Sequence, residues 1–503
     1  MQNPLVNTCN NKNGRCPHLF LIIITGFFLI LLPIPFEKLH SDEVIYWEIT
    51  RNLANGAGFK TIDLEGPFIG HGVLPFLITA PFLSINSHIF IARFVSALFT
   101  IGCSIMIFLL VRGNTKDEKA AFISSILFIF SLNTLRFGGR FYLDPYGLFF
   151  FLLSLFLITN DKLFPSPPPL PHGERIKVRG NSDVFKIALS GITAGLSILG
   201  RELWLGVYPF YLIYLWKKRK SVLRFFIFSI LPFIPFLIYV FVGPGFSYFL
   251  KVQAVLWNLK DLLVVGGKGE LVPQLFHSWV EFFLLHILTI IGAIWSIKSK
   301  RCDTDLLILI LPQFLILSMV NGFITNGAFT QYPLGLQAGL ALLAGPGILD
   351  GTSRLIRWFN KKISPVFLIL CVIIAQFIIL NILATKVSSH GSFGIHALGW
   401  WNDKKVIDLL NEGARGEVIV GEHGAFVKGA LKWIWVDRDI VRAIEIEPDW
   451  LVTYPNRVRI TGEEPDKVKV YHIGPYLVLH SHPPGHMKDV IAPVDFPKWR
   501  FRK

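Results

Sequence analysis

The chain has 503 residues, of which 52% are apolar, 45 are phenylalanine and only 17% are charged. That composition excludes an ordinary soluble globular protein and points to a chain that crosses a membrane several times. A net charge of +15 would suit a nucleic-acid binder, but Arg and Lys gather in short connectors between apolar runs. This is the positive-inside pattern of a membrane protein, and no nucleic-acid partner is expected.

Residues 1–17 form a tail that carries Lys12 and Arg15. Apolar runs of spanning length follow near 18–36, 88–111, 119–137, 144–160, 185–200, 202–216, 225–243, 279–297, 305–320, 331–349 and 364–384. The first lacks a small-x-small cleavage site at "PIPFEKLHSDE" and is expected to stay as an anchor. The fifth and sixth are short and meet at Gly200-Arg201-Glu202, as a tight hairpin or as one broken helix. The basic clusters are Arg112/Lys116/Lys119, Lys217/Lys218/Arg219/Lys220, Lys298/Lys300/Arg301 and Arg354/Arg357/Lys361/Lys362. With the amino terminus inside, all four fall on the cytoplasmic side, and 37–87 becomes the first external loop. The expected architecture is a mainly α, polytopic bundle of about eleven spans over 18–384. It is expected to sit in the inner (plasma) membrane.

Two segments break the pattern. Residues 161–184 hold the Pro-rich run "FPSPPPLPHGERIKVRG", an extended cytoplasmic linker without a core. After 385 the spacing turns to a helix, "DKKVIDLLNEG", and to strands in "GEVIVGEH", "IVRAIEIE", "WLVTY", "RVRITG" and "VKVYHIGPYLVLH". Residues 385–503 are thus expected to form a small extracytoplasmic α/β domain. Cys9, Cys16, Cys103, Cys302 and Cys371 all fall outside the external segments, so no disulfide framework is implied.

Three clusters could carry chemistry. In "LHSDEVIYWEITRNLANGAGF" (39–59), Ile45, Ile49 and Leu53 recur at helical spacing and Gly56 can end the helix. Asp42 and Glu43 open this interfacial helix, where a carboxylate also favours the helix dipole. Tyr46 and Trp47 suit the headgroup level. In "RFGGRFYLDPYGLFFF" (136–151), Arg136, Arg140 and Asp144 stand at the outer mouth of the third and fourth spans, with Pro145 in a first turn and Asp144 as its N-cap. In "LGRELWLGVYPF" (199–210), Arg201 and Glu202 lie at a break between spans, either as functional groups or as charges that neutralise each other. His480, His482 and His486 in "HSHPPGH" could gather a metal, but further ligands are missing and loop histidines explain the run.

In order and membrane side, the Asp42-Glu43 pair, Tyr46, "RNLANGAGF", "RFYLDP" with its following "FFF", and "AGLSILGRE" resemble the multi-spanning glycosyltransferases of the GT-C type. The nearest group is that of the protein mannosyltransferases, aminoarabinose transferases and RgtA/B/C/D-like enzymes, over roughly 18–380. The chain departs from it at "GPFIGHGVLPFLITAPF", where many relatives have Pro-Pro-Leu. The resemblance implies a sugar donor on a polyprenyl phosphate and a catalytic acidic residue in the first external loop. That position carries over to Asp42, with Glu43 beside it, and the family's Arg and Asp before the fourth span carry over to Arg140 and Asp144.

A carboxylate at the membrane mouth can take the acceptor hydroxyl proton, and cations stabilise the leaving phosphate. Asp42 is the expected base, with Arg140 and Arg201 on the phosphate, Lys60 and His71 as lesser phosphate candidates, and Asp144, Glu202 and Tyr46 in support. The acceptor would be a glycan, lipid or protein outside the cytoplasm. No cofactor is required, and a divalent cation finds no supporting motif. The competing reading is a transporter or flippase of lipid-linked saccharides, which would show internal repeats and midplane charges; the charged residues here crowd one mouth.

Overall fold

A computed structural model of the chain describes residues 17–32, 34, 41–60, 67, 69, 71–160, 175–218, 220–256, 283–301, 334–359, 363–386, 400–413, 418–421, 432–435, 444, 447–453, 458–461, 467–473, 476–482 and 487–493. The first helix, α1 (Pro17–Gly26), runs on into a π-helical turn, Phe27–Leu31. Helix α2 (Ser41–Ala54) is the expected helix of the first loop, closed by a turn at Asn55–Gly56. Gly56 and Gly58 take φ of +77° and +80°, a region that glycine enters without strain. Then comes α3 (Leu74–Ile85), which the spacing did not announce: it is short, and Pro81 sits inside it. Its Pro75 lies in the first turn, where a missing N–H costs nothing.

The bundle proper is built from α4 (Ile89–Thr115), α5 (Glu118–Ile129), α6 (Leu132–Phe137), α7 (Asp144–Thr159), α8 (Arg175–Gly200) and α9 (Trp204–Lys217). The expected third span, 119–137, is therefore two helices, α5 and α6. Asp117 caps α5, accepting from the N–H groups of Lys119 and Ala120. The junction at 201–203 is a hairpin and not one broken helix. Tyr211 on α9 turns back to hydrogen-bond Ser154 on α7 at 2.9 Å, and Ser154 in turn bonds the Ser190 carbonyl on α8 at 2.7 Å. The expected span 225–243 is bent by 44° between α10 (Val222–Ile230) and α11 (Phe233–Val242). Pro232 stands at that break, where it cannot continue an α-helical hydrogen-bond ladder. Helices α12 (Phe246–Leu256), α13 (Phe283–Lys298), α14 (Leu334–Trp358) and α15 (Pro365–Lys386) follow.

Helices α4 and α14 are each long and apolar enough to cross a bilayer, and α10 with α11 suffices as a bent pair. Shorter apolar helices occupy Pro17–Leu31, Leu74–Ile85, Asp144–Thr159, Val184–Gly200, Leu288–Lys298 and Pro365–Ile379. The expected span 305–320 lies outside the described residues, as does most of the Pro-rich linker. Phe20, Phe94, Leu205, Trp216, Phe226, Val242, Ile294 and Phe367 are exposed. So large an apolar surface is stable only against lipid.

The helices alternate in direction, so their connectors sort to two ends. Arg112 pairs with Glu118 at 2.8 Å, Gly345 abuts Ala120 and Ser124, and Trp295 donates to Asp350 at 2.9 Å. Those contacts bring the basic ends of α4, α13 and α14 to one end of the bundle, and α9 runs towards it as well. Residues 41–60, 71–73, 138–144 and 200–204 gather at the other end.

The carboxy-terminal segment contains α16 (Trp400–Gly413) and seven strands: β1 (Val418–Gly421), β2 (Lys432–Trp435), β3 (Trp450–Thr453), β4 (Val458–Ile460), β5 (Val468–Ile473), β6 (Tyr476–Ser481) and β7 (Ile491–Pro493). Five form a sheet in the order β2-β1-β3-β6-β5, with β1 parallel to β2 and β3, and β6 antiparallel to β3 and β5. Alternation decides its two faces. Trp450, Val452, Tyr476 and Val478 pack with Val406, Ile407 and Leu410 of α16, whereas Leu451, Leu477 and Leu479 pack with Met487, Val490 and Ile491. Strand β2 was not expected, and most of the expected strand "IVRAIEIE" lies outside the described residues.

The sorting of basic connectors to one end predicts an inside location for them. Reporter fusions after Lys220 and after His390 should therefore read opposite sides of the membrane; the same side for both would contradict this topology.

Candidate active site

Two carboxylates organise the end of the bundle opposite the basic connectors. Glu43, in the first turn of α2, is fully buried. Arg93 of α4, also buried, donates from Nε to Glu43 Oε1 at 2.6 Å and from Nη2 to Oε2 at 2.7 Å. The same guanidinium donates from Nη1 to the Ile34 carbonyl at 2.9 Å, and the Phe141 N–H donates to Glu43 Oε1 at 2.9 Å. Burial pushes the Glu43 carboxyl upward, but Arg93, Arg140 and the Phe141 N–H outweigh it and hold the group below its ordinary value. Glu43 is thus committed to a bidentate ion pair that ties the end of the first helix, α2, α4 and the 138–143 loop together.

Glu202, in the turn between α8 and α9, plays the matching part on the other side. Its Oε1 accepts from His71 Nδ1 at 2.8 Å and its Oε2 from the Gly72 N–H at 3.1 Å. Arg201 lies alongside, with Nη1 3.7 Å from Glu202 Oε1 and Nε 3.4 Å from Asp144 Oδ1. Burial raises the Glu202 carboxyl, while Arg201 and His71 draw it down to about 2. The approach of the loop to the turn is close: a Cβ on Gly72 would stand 2.4 Å from the Leu199 carbonyl oxygen, so only glycine fits.

An aromatic floor joins the two halves. Tyr46 is buried and sets its ring against those of His71, Phe76 and Tyr142, at centroid distances of 6.1, 5.9 and 6.2 Å. Tyr46 therefore faces the bundle and not the headgroup level, because Ile49 and Thr50 share its buried side of α2. Trp47 is only partly buried, donates to the Ser87 carbonyl at 3.0 Å and carries Arg51 over its ring.

The expected site residues fall into place unevenly. Arg140 and Arg201 are both buried at the site end, and Arg140 acts electrostatically on Glu43. His71, Glu202, Arg201 and Asp144 form one chain of contacts. Asp144 is not the N-cap of α7: that helix begins at Asp144 after Leu143, with no side-chain cap bond, and the Asp144 carboxylate faces Arg201. Lys60 is exposed, offers its carbonyl to Asn52 Nδ2 at 2.8 Å and makes no ion pair among the described residues. Asp42 lies in the first turn of α2 at this end, and its side chain lies outside the described residues, as does that of Arg136. Among the described residues no three His, Cys, Asp or Glu side chains form a metal-like group. His480 stacks on Trp450 at 4.0 Å, and His486 lies outside the described residues. The partner that sequence reasoning missed is Arg93, although a single Arg in the apolar run "IFIARFVSALFT" is a signal that an acid must lie nearby.

Residues 21–246 match the sequence profile of the dolichyl-phosphate-mannose-protein mannosyltransferase family. Among solved structures, ArnT from Cupriavidus metallidurans bound to undecaprenyl phosphate superimposes with a TM-score of 0.51 at 12% identity, over 92% of this chain and 97% of that one. The archaeal oligosaccharyltransferase AglB from Archaeoglobus fulgidus, in complex with an inhibitory peptide and a dolichol-phosphate, gives 0.48 at 14% identity over 87% and 69%. The S. cerevisiae protein O-mannosyltransferase Pmt1-Pmt2 complex bound to the sugar donor gives 0.31 at 15% over 48% and 34%. No curated protein matches the chain in sequence. The fold is that of the GT-C membrane enzymes, mainly helical with a small carboxy-terminal sheet. Residues 21–246 are thus similar to a membrane mannosyltransferase family, and the fold of the chain is like that of a GT-C membrane enzyme.

The Glu43–Arg93 pair should matter to stability before it matters to chemistry. Glu43→Gln leaves Arg93 buried without its counter-charge and should cost about 3–5 kcal/mol, read as a lower melting temperature in detergent. Because the folded carboxyl lies below its unfolded value, the contribution is complete above about pH 4.3 and is lost as pH falls through the folded value. A Glu43→Gln protein as stable as the wild type would contradict the pair's structural role.

Proposed function

We propose that the chain transfers a sugar from a polyprenyl-phosphate donor to an acceptor hydroxyl at the extracytoplasmic face of the inner membrane. Asp42 is the base, and Arg140 and Arg201 hold the donor phosphate. One observation carries the reading: the acidic first turn of α2 and two buried arginines converge at the end of the bundle opposite every described basic connector. Facing outward, such an enzyme has no access to cytoplasmic nucleotide sugars, so a donor on lipid is required. The profile match over 21–246 covers all of these residues, and ArnT, which shares the fold, was solved with undecaprenyl phosphate. A glycan, lipid or protein supplies the acceptor hydroxyl. The carboxy-terminal α/β segment lies on the same outer side, after an odd number of spans.

The choice of Asp42 over Glu43 follows from hydrogen bonding. Both oxygens of Glu43 are occupied by Arg93, and Oε1 also by Phe141, so taking up a proton would break a buried ion pair. Asp42 is the other carboxylate of the same first turn. In the transition state the bond from the anomeric carbon to the phosphate oxygen lengthens and negative charge grows on the phosphate, where planar guanidinium donors stabilise it. A transporter of lipid-linked saccharide would place its charged site near the bilayer midplane; here the charged cluster lies at helix ends.

Asp42→Asn keeps size and capping ability but should lose roughly a hundred- to ten-thousandfold in turnover, assayed with polyprenyl-phosphate sugars extracted from host membranes. Arg140→Lys keeps charge without the bidentate fork and should also lose activity at normal membrane levels. Wild-type rates in Asp42→Asn would end this mechanism, and wild-type rates in both Arg140→Ala and Arg201→Ala would leave those residues as structural cations.

A further inference from the structure

The opposite end of the bundle carries a second organised charge cluster, at the junction of α13 and α14. Small residues bring these helices together: a Cβ on Gly292 or on Gly347 would collide with the facing helix. Asp350 of α14 is the hub. Its Oδ2 accepts from the Trp295 indole N–H at 2.9 Å and from Arg354 Nε at 3.0 Å, and its Oδ1 lies 3.6 Å from Arg301 Nη2. The Arg354 guanidinium also stands over the Trp295 ring, 5.3 Å from its centroid. The end of α13 fixes Arg301 through the backbone: Lys300 turns left-handed at φ +54°, and the Arg301 N–H donates to the Ser296 carbonyl at 2.9 Å.

One carboxylate thus gathers two guanidinium groups, yet the Arg301 and Arg354 side chains stay 60% and 55% exposed. Lys298, Lys300 and Arg357 flank them and are exposed as well. Residues 298–305 and 350–362 together hold seven Lys and Arg against three Asp, so the junction is positive in excess. A helix C-terminus favours cations by itself, but it neither gathers arginines from two helices nor lays one on an indole. Ile291 and Ile294, within two turns of the end of α13, are exposed apolar side chains at the level of acyl chains. Trp358 and Phe359, also exposed, suit the headgroup level.

We propose that the α13–α14 junction binds the phosphate of an anionic phospholipid in the adjoining leaflet, with Arg301 and Arg354 as a guanidinium pair and Asp350 as the residue that positions both. The planar forks match phosphate oxygens bidentately, and the lipid's chains lie along Ile291 and Ile294. Charge complementarity selects the headgroup: phosphatidylglycerol is a net anion, whereas phosphatidylcholine brings its own ammonium to a positive junction. This site lies at the far end of the bundle from Asp42 and is independent of the sugar-transfer reading.

The test uses the full-length protein in detergent, stripped of lipid and titrated with dioleoylphosphatidylglycerol or dioleoylphosphatidylcholine, with lipid-bound species counted by native mass spectrometry. The wild type should bind phosphatidylglycerol about tenfold more tightly than phosphatidylcholine. Arg301→Gln/Arg354→Gln should abolish that preference. Arg301→Lys/Arg354→Lys keeps both charges and can still face Asp350 but lacks the forks, so it should lose part of the preference; it decides the question should the glutamine pair fold poorly. Lys116→Gln/Lys119→Gln removes two exposed cations from another connector at the same end and should leave the preference intact. Wild-type preference in either arginine variant, or an equal loss in the Lys116→Gln/Lys119→Gln variant, would reduce the junction to a diffuse positive field and overturn the inference. Displacement of phosphatidylglycerol by inorganic phosphate at the same concentration would assign the arginines to a soluble anion and overturn it as well.

Discussion

The buried pair of Glu43 and Arg93 is the interaction on which the rest of the site depends. Each charge has been taken out of water, which is tolerable only because nearly every donor and acceptor is matched: two guanidinium–carboxylate bonds, one bond to the Ile34 carbonyl and one from the Phe141 N–H. Those four bonds fix the first turn of α2 against α4 and against the loop that carries Arg140. The first turn of α2 and the loop of Arg140 are therefore held at one end of the bundle by a buried ion pair. On the other side, Glu202 holds the first external loop at His71 and Gly72. Two carboxylates thus pin the first loop to the bundle at two points, residue 43 and residues 71–72.

Much of this was legible in the sequence, for identifiable reasons. Continuous apolar runs and basic connectors report on lipid and membrane potential, which act on each segment separately, so the bundle and its two ends could be read residue by residue. The helix at 41–54 was legible because Ile45, Ile49 and Leu53 repeat at helical spacing, and Gly56 ends it with a positive φ. The alternation in "VKVYHIGPYLVLH" marked the β5–β6 hairpin for the same local reason.

What escaped depends on partners distant in sequence. Nothing near Glu43 says that it meets Arg93, 50 residues on, so the buried ion pair was not legible in the adjacent carboxylates. Asp144 had every local mark of a cap, yet Arg201, far along the chain, draws its carboxylate away. Helix α3 was hidden by Pro81, and the bend at Pro232 by the length of the apolar run around it. Likeness of fold at 12% identity to ArnT fits the same division: the bilayer and the need for paired charges constrain architecture, while most individual positions stay free to change.

The proposed function turns on a donor carried by lipid phosphate, and the most direct measurement is mass spectrometry of polyprenyl-phosphate sugars and surface glycans with and without the gene. Loss of the gene should make one polyprenyl-phosphate sugar accumulate while one surface glycan, lipid or protein loses the corresponding residue. An unchanged pool of lipid-linked sugars together with unchanged surface glycans would contradict glycosyl transfer from such a donor.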